Sequence, residues 1–287
     1  MASITYVVAS RGRPQLEDTI SSILGQEGIS VELIVVFDGV EPTVRENPSG
    51  GARFIALPSQ VGVSKARNLG ARAARSDFLS FIDDDDWVSS RHATTSISSL
   101  EESQSSSVVV SGVSGYIDRS AEPVYKRLPP SFSPKGSHWN LSNKMSWAES
   151  LTKQSAVLER QFFWSIGGFD ESLAGRQWTE LFWRANAASS VVGLQQPLYF
   201  RQVWGREHRR RHIGGSAGNR WRNFQQLVSV QSEMIRTHQT GFRRMLSHHR
   251  KSLKASGHPE LARLVSLRNA PLLTSSTRQC PACSHDS

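Results

Sequence analysis

Four consecutive carboxylates, Asp83-Asp84-Asp85-Asp86, follow directly on the apolar run Phe78-Leu79-Ser80-Phe81-Ile82. Neighbouring carboxylates about 4 Å apart repel by roughly 4 kcal/mol at an effective dielectric near 20, so such a run needs solvent or a cation. In an extended segment alternate residues share a face, which predicts Asp83 and Asp85 on one side and Asp84 and Asp86 on the other. Two hard oxygen ligands on one face suit magnesium or manganese, with coordination positions left for substrate phosphates. A solvated acidic loop is the ordinary alternative for an isolated acidic run. Its place at the end of a hydrophobic strand favours the ligand reading, because open α/β sheets bind ligands at the carboxyl ends of their strands.

The elements that must carry these groups alternate in type. Ile4 to Ala9 reads as a strand, and Ser10-Arg11-Gly12-Arg13-Pro14 as the turn leaving it. Pro14 opens a helix in which Leu16, Ile20, Ile23 and Leu24 recur at helical spacing. Val31 to Phe37 is a second strand ending at Asp38-Gly39, and Arg53 to Leu57 a short third. Gly62 to Arg75 is a helix with small residues on one face, and the strand ending in the Asp run comes next. This alternation predicts an α/β fold, a Rossmann-like, mostly parallel sheet with helices on both faces. Asp38 then ends its strand as the Asp run ends its own, where an acidic residue commonly receives the donors of a ribose or base. An Asp-Gly pair also forms turns, and the two roles are compatible.

These residues resemble the inverting family 2 glycosyltransferases of the glycosyltransferase A-type fold. The matching features are Arg13-Pro14, Gln26, Asp38-Gly39, the helix Gly62 to Gly70 with Ala66-Arg67-Asn68, and Asp83 to Asp86, in the family's order. The resemblance implies a nucleotide-sugar site formed by Ala9, Ser10, Arg13, Asp38, Arg67, Asp83 and Asp84. Ala9, Ser10 and Asp38 would surround the base, with Arg67 near the same pocket and Asp83 facing the ribose. It further implies a divalent metal, Mn2+ or Mg2+, held by Asp85 and bridging the donor diphosphate. The ion would neutralise charge building on the leaving nucleoside diphosphate.

A second match lies at Gly167-Gly168-Phe169-Asp170-Glu171, after which the family carries a Glu-Asp pair whose Asp is the general base. Aligned without gaps through Thr179 to Arg184, that pair falls on Gln177-Trp178, neither of which accepts a proton usefully. General acid–base assistance contributes about 10²–10⁴-fold, so the departure matters. Glu180 is the candidate catalytic base, and an i,i+4 ion pair with Arg184 is its structural alternative. The family often places a His near a Ser after its closing strands, here matched by Val191 to Leu194 and Leu198 to Trp204. His212, before Ser216, is the candidate for contact with the metal or diphosphate, with His208 as alternative, in a basic loop expected to close over the donor.

The 287 residues are divided into a catalytic domain (1–205), a basic loop with a helical extension (206–270) and a tail (271–287). Within the catalytic domain, 1–100 is the nucleotide-sugar half and 101–205 the acceptor half. His138, Trp139 and Trp147, in an irregular stretch, could form a platform for a sugar ring or lipid. The net charge of +9 implies anionic partners, and the excess gathers at Arg206 to Arg222 and Arg243 to Lys254. Basic helical patterns there allow either a helix pair packed on the domain or a peripheral contact with an anionic membrane.

A nucleic-acid-binding role is excluded as the lead, because no recognition motif accompanies the charge and the Asp run is left unexplained. No apolar run approaches the roughly 18 residues of a membrane helix, and the start lacks a signal-peptide charge order, so the expected location is the cytoplasm. The two cysteines, Cys280 and Cys283, sit in the tail and are half a zinc site at best. The expected partners are a nucleoside diphosphate sugar, UDP-sugar favoured, and a sugar, lipid-linked or small-molecule acceptor. A homologue that binds the donor but transfers poorly is the alternative that Gln177-Trp178 raises.

Overall fold

The structure, a computed structural model, describes residues 2–42, 44, 51–136 and 153–204, with scattered positions between 222 and 251. Strand and helix alternate from the start: β1 (Ser3–Ser10), α1 (Leu16–Leu24), β2 (Ser30–Phe37), β3 (Ala52–Ala56), α2 (Val63–Ala73) and β4 (Phe78–Asp83). The second half contains β5 (Trp87–Val88), α3 (His92–Ser103), β6 (Ser106–Tyr116), β7 (Tyr125–Arg127) and β8 (Phe132–Ser133). A 3-10 turn at Lys153–Ser155 then leads to β9 (Val157–Glu159), α4 (Arg160–Ser165), α5 (Gln177–Ala188) and β10 (Ser190–Gln202).

Among the described residues these strands form one 10-stranded sheet ordered β3-β2-β1-β4-β9-β6-β10-β5, with β7 on β6 and β8 on β10. The first four in that order are parallel. β9 runs antiparallel between β4 and β6, and β6 and β10 are parallel again. The expected mostly parallel sheet is therefore present, with antiparallel insertions in its second half.

Alternation along β1 explains the two cores. Val7 joins Ile34, Val36, Ala66, Leu79, Phe81 and the α5 residues Leu181 and Phe182 on one face. Ile4, Tyr6 and Val8 join Leu16, Ile23 and the α3 residues Ala93, Ile97 and Leu100 on the other. Burying each such side chain stabilises the fold by about 1.5–3 kcal/mol, so both faces need helical cover. The small-residue face of α2 has a steric cause: a Cβ at Gly70 would collide with Val7 of β1. No described helix is long and apolar enough to cross a membrane.

Some local expectations change. The two closing strands are one strand, β10, which tolerates Pro197 at shifts of register against β6. The acidic run does not continue β4 as an extended strand. Asp86 N donates to Asp83 O at 3.1 Å, closing a turn that brings Asp84 and Asp85 toward one arginine, so the predicted alternation of faces ends at Asp83.

Candidate active site

The crevice follows from strand order. The chain moves outward from β1 to β2 and β3, then returns to place β4 on the other side of β1, creating a topological switch point at the carboxyl ends of β1 and β4. Register aligns the relevant ends: Ser10 lies beside Phe37, one residue before Asp38, and Ala9 beside Asp83. Ala9, Ser10, Asp38 and Asp83 are thus brought together as expected.

Asp38 is buried and accepts backbone N–H groups from Val61 at 2.6 Å and Gly62 at 3.1 Å. It supplies negative charge to the start of α2, whose first turn has no acidic residue of its own. Carboxylate oxygens carry further lone pairs, so this turn role leaves acceptor capacity for a ligand donor.

Each member of the acidic turn has its own partners. Asp83 accepts from Arg67 Nη2 at 2.5 Å; its side chain is 34% exposed, the arginine's 5%. Arg67 is held against the faces of Phe169 and Trp178, with Cζ 5.3 and 5.5 Å from their ring centroids. It therefore reaches the Asp83 end of the crevice from a buried position, where the sequence reading set it near the base pocket. Asp84 accepts from Ser10 Oγ at 2.8 Å and Arg11 N at 3.1 Å, with Arg13 Nε 3.4 Å away. Asp85 is paired with the Arg13 guanidinium and accepts from Trp204 Nε1 at 2.8 Å. Asp86 is buried, accepting from Tyr199 OH at 2.6 Å and Gln202 N at 2.8 Å, while its carbonyl accepts from Thr19 Oγ1 at 2.7 Å. Asp86 thereby ties β10 and α1 to the turn.

Burial first, then the Asp83 charge, raises the pKa of Asp85 above the usual carboxylate value, opposed by Arg13 and Trp204. Asp86 is pushed well up by burial and by Asp83 and Asp85, with Arg201 and Tyr199 opposing. Tyr199 moves up through burial and then the Asp86 charge. Burial pulls Arg201 down, but Asp86 and Asp83 outweigh it and keep the guanidinium charged.

The donor set fits a hard divalent ion in an open manner only. Among the described residues no three His, Cys, Asp or Glu side chains converge into a metal cage. Asp85, with Asp83 nearby, offers carboxylate oxygen of the kind that holds magnesium or manganese through one or two protein ligands plus phosphates. Arg13 must yield its place on Asp85 for that to happen. His212 and His208, and the aromatic platform His138, Trp139 and Trp147, lie outside the described residues, as do Cys280 and Cys283.

Between α4 and α5, Gly167 and Gly168 take φ of 90° and 66°, a left-handed backbone that only glycine adopts readily. Asn68 clasps the next residue, donating to Phe169 O at 2.8 Å and accepting from Phe169 N at 3.0 Å. Its amide also donates to Glu171 Oε1 at 3.0 Å. The Ala66-Arg67-Asn68 and Gly-Gly-Phe-Asp-Glu segments are thus direct partners.

Glu180 lies in an ion pair on α5. Its side chain is 3% exposed and accepts from Arg184 Nε at 2.6 Å and Nη2 at 2.5 Å. Arg184 also donates to Gly168 O at 2.7 Å and to Ile166 O. This buried, two-point guanidinium contact is the i,i+4 ion pair that stood as the structural alternative for Glu180. Gln177 opens α5 and donates to Leu173 O at 3.3 Å. Trp178 packs against Phe81, Phe169 and Phe182, and its Nε1 is buried without a partner among the described residues.

Tyr199, Gln202 and Trp204 were not singled out from the sequence. Their separation from the acidic turn hides them; only the placing of Leu198 to Trp204 as a closing strand pointed toward that end of the sheet.

A switch-point crevice lined by a strand-end Asp and an acidic turn, on a mixed sheet with antiparallel β9 between parallel halves, defines a glycosyltransferase A-type fold. The sequence profile described as glycosyl transferase family 2 matches residues 5–155, and the chain belongs to that family. Over 90 residues it is 37% identical to the succinoglycan biosynthesis protein ExoO of Rhizobium meliloti (strain 1021), covering 30% of this chain and 26% of ExoO. It is 29% identical over 179 residues to the uncharacterized glycosyltransferase EpsJ of Bacillus subtilis (strain 168), covering 60% of this chain and 46% of EpsJ. Thus it spans from about a quarter to about a half of those relatives' lengths. Crystal structures of S. aureus TarS with UDP and with UDP-GlcNAc superpose with TM-scores of 0.63 and 0.64. Both are 15% identical and cover 95% of this chain and 78% of that one, a likeness of fold.

Proposed function

We propose that this chain is an inverting, metal-dependent glycosyltransferase that moves a sugar from a nucleoside diphosphate donor to an acceptor hydroxyl. The observation that carries the reading is the convergence of Asp38, Ser10 and the Asp83–Asp85 turn at the β1/β4 switch point. In this reading Ala9, Ser10 and Asp38 receive the nucleoside, Asp83 the ribose, and Arg13 and Asp84 the diphosphate side. TarS, which binds UDP and UDP-GlcNAc on the same fold, supports a UDP-sugar donor. The relative named for succinoglycan biosynthesis supports assembly of a polysaccharide, with glycolipid or natural-product acceptors in the same chemical class.

Asp85 would hold the divalent ion, with Asp83 beside it and His212 completing the set. When bound, Mn2+ or Mg2+ supplies Lewis-acid stabilisation of the departing diphosphate. The protein's own part is to fix the donor's nucleoside, turn its anomeric carbon toward the acceptor side and exclude water there. Residues 1–205 are the catalytic unit in this proposal, and the positive charge of 206–270 suits the donor diphosphate or an anionic membrane surface as partner, a helix pair packed on the domain being the alternative.

Calorimetric titration of UDP and a panel of UDP-sugars, with and without Mn2+, tests the donor reading. Metal-dependent micromolar binding is expected, and no binding by any member would refute it. A second reading, donor binding with impaired transfer, is favoured by the engagement of Glu180 with Arg184 and by Gln177-Trp178 at the position of the family's base. Donor hydrolysis by the protein with Mn2+ separates the two, since an impaired homologue binds without turnover.

A further inference from the structure

The partners of Asp84 and Asp85 differ in kind. Asp84 is held by a buried serine hydroxyl and a backbone N–H, groups that stay where the strand end puts them, with Arg13 Nε 3.4 Å away as a longer ion-pair contact. Asp85 accepts from two side chains, the Arg13 guanidinium and the Trp204 indole. Arg13 belongs to a fixed stretch of backbone: its carbonyl accepts from Leu16 N at 3.1 Å at the start of α1, and Pro14 follows it. Its side chain is 32% exposed, against 9% and 11% for Asp84 and Asp85. A long side chain on a fixed root, open to solvent, is free to exchange partners within a short radius.

We propose that Arg13 is a place-holding cation on Asp85, so that divalent ion and donor diphosphate bind as a mutually dependent pair. This rests on the nucleoside diphosphate reading of the crevice. The guanidinium neutralises a carboxylate that also feels Asp83 and Asp84, and an ion arriving alone must expel it, leaving only its longer contact with Asp84. A diphosphate changes that balance, because its oxygens match the guanidinium fork as well as the carboxylate does. Donor binding draws Arg13 off Asp85, and the freed carboxylate takes the ion. The affinity of the ion alone is reduced by the small fraction of molecules in which Asp85 is unoccupied. Linkage makes the coupling reciprocal, and allosteric couplings of this kind run at roughly 5–150-fold.

Electron paramagnetic titration of free Mn2+ against the full chain, with and without saturating UDP, reads the coupling directly, with GDP or TDP replacing UDP if UDP does not bind. For the wild type, Mn2+ alone is expected to bind weakly and the nucleotide to tighten it by at least about tenfold. In Arg13→Ala, Mn2+ alone should bind about tenfold tighter than in the wild type, and the nucleotide effect should shrink by about the same factor, keeping the share that comes from direct ligation of the ion by the diphosphate. Arg13→Lys, which keeps the charge without the fork, should fall between them. Arg11→Ala removes the same charge one turn away while keeping its backbone N–H on Asp84, and should behave as wild type. Wild-type coupling in a folded Arg13→Ala, or an equal gain of Mn2+ affinity in Arg11→Ala, would overturn the place-holder while leaving the donor reading intact. Failure of the wild type to bind any of the three nucleotides at saturating Mn2+ would overturn both.

Discussion

Two arginine–carboxylate systems, one at the acidic turn and one on α5, are built to different ends. At the donor side, Arg13 with Asp85 and Arg67 with Asp83 each leave one member about a third exposed, and the carboxylates crowd one another. On α5, Glu180 and Arg184 lie one turn apart, with the carboxylate 3% exposed and the guanidinium also holding the carbonyls of Ile166 and Gly168. The first arrangement concentrates negative charge beside solvent, ready to receive a cation. The second removes charge from solvent to fix a turn whose two glycines are in left-handed backbone. Chemically similar pairs thus differ in exposure, one set suiting the ligand site proposed above and the other bracing a turn.

Cutting the brace should have the largest effect. Glu180→Ala leaves a guanidinium facing a buried gap, and breaking a buried pair costs about 3–5 kcal/mol. A matching drop in the urea midpoint is expected, with little specific change in donor affinity at temperatures where the variant stays folded. Glu180→Gln keeps the shape and should lose less. A Glu180→Gln protein of wild-type stability whose turnover falls 100-fold or more would restore Glu180 as base.

Acid should act on buried His92 and on the acidic turn with opposite sign. Beneath the crevice, His92 is fully buried, its Nδ1 2.8 Å from Tyr6 OH and its Nε2 3.1 Å from Ser155 O. Burial lowers its pKa from 6.5 to about 4, despite the Ser155 carbonyl. The unfolded chain therefore binds the proton first, and the stability contributed by neutral His92 is complete above pH 6.5 and lost as pH falls toward about 4. A shift of that size corresponds to about 3 kcal/mol. Asp85 and Asp86 titrate the other way: their raised pKa values mean the folded protein holds protons more tightly, so their unfavourable contribution grows as pH rises. Urea midpoints at pH 4.5 and 7 should show the loss at low pH in the wild type and a flatter profile in His92→Gln.

The same sign argument makes Asp85→Asn an informative partner to Glu180→Gln. Removing a carboxylate whose charged form is disfavoured by burial should raise the urea midpoint at pH 7 slightly, while metal-dependent UDP binding weakens. Stability gained with function lost marks a ligand site, whereas Glu180→Gln should lose stability. A fall in stability for both would erase the distinction drawn between the two sides.

Much of the donor side was legible in the sequence because its parts are local. Each strand end carries its functional residue next to its own apolar run, so Asp38 and Asp83 could be located before the order of the sheet was known. The switch point then brought them together with Ala9 and Ser10, as a parallel sheet requires. The faces of Asp83 to Asp86 were misjudged because extended geometry was carried past Asp83, where the backbone turns. For Glu180, helical spacing allowed both a base and an i,i+4 pair with Arg184, and the burial that shows the pair is not written in the spacing. The contacts from β10 were hidden by distance along the chain: Tyr199 and Trp204 meet Asp86 and Asp85 across separations of 113 and 119 residues.

Trp204 offers the smallest and sharpest test. Asp86 holds Gln202 N at 2.8 Å, and two residues further on Trp204 Nε1 reaches Asp85 at 2.8 Å, so the end of β10 carries the indole to the acidic turn. Trp204→Phe removes that donor and keeps most of the ring. One hydrogen bond to a charged group is worth about 1.5–3 kcal/mol. Asp85 retains Arg13 in the ligand-free protein, so the cost there should sit at the low end, visible as a small drop in the urea midpoint. Once Arg13 has left for the diphosphate, the indole is the side-chain donor that still orients Asp85, and its loss should weaken Mn2+ binding in the presence of UDP by about tenfold. Mn2+ binding without nucleotide should change by less. An equal effect with and without UDP would mean that Arg13 and Trp204 act independently on Asp85, and the donor side would then be a fixed ion-pair network like the one at α5.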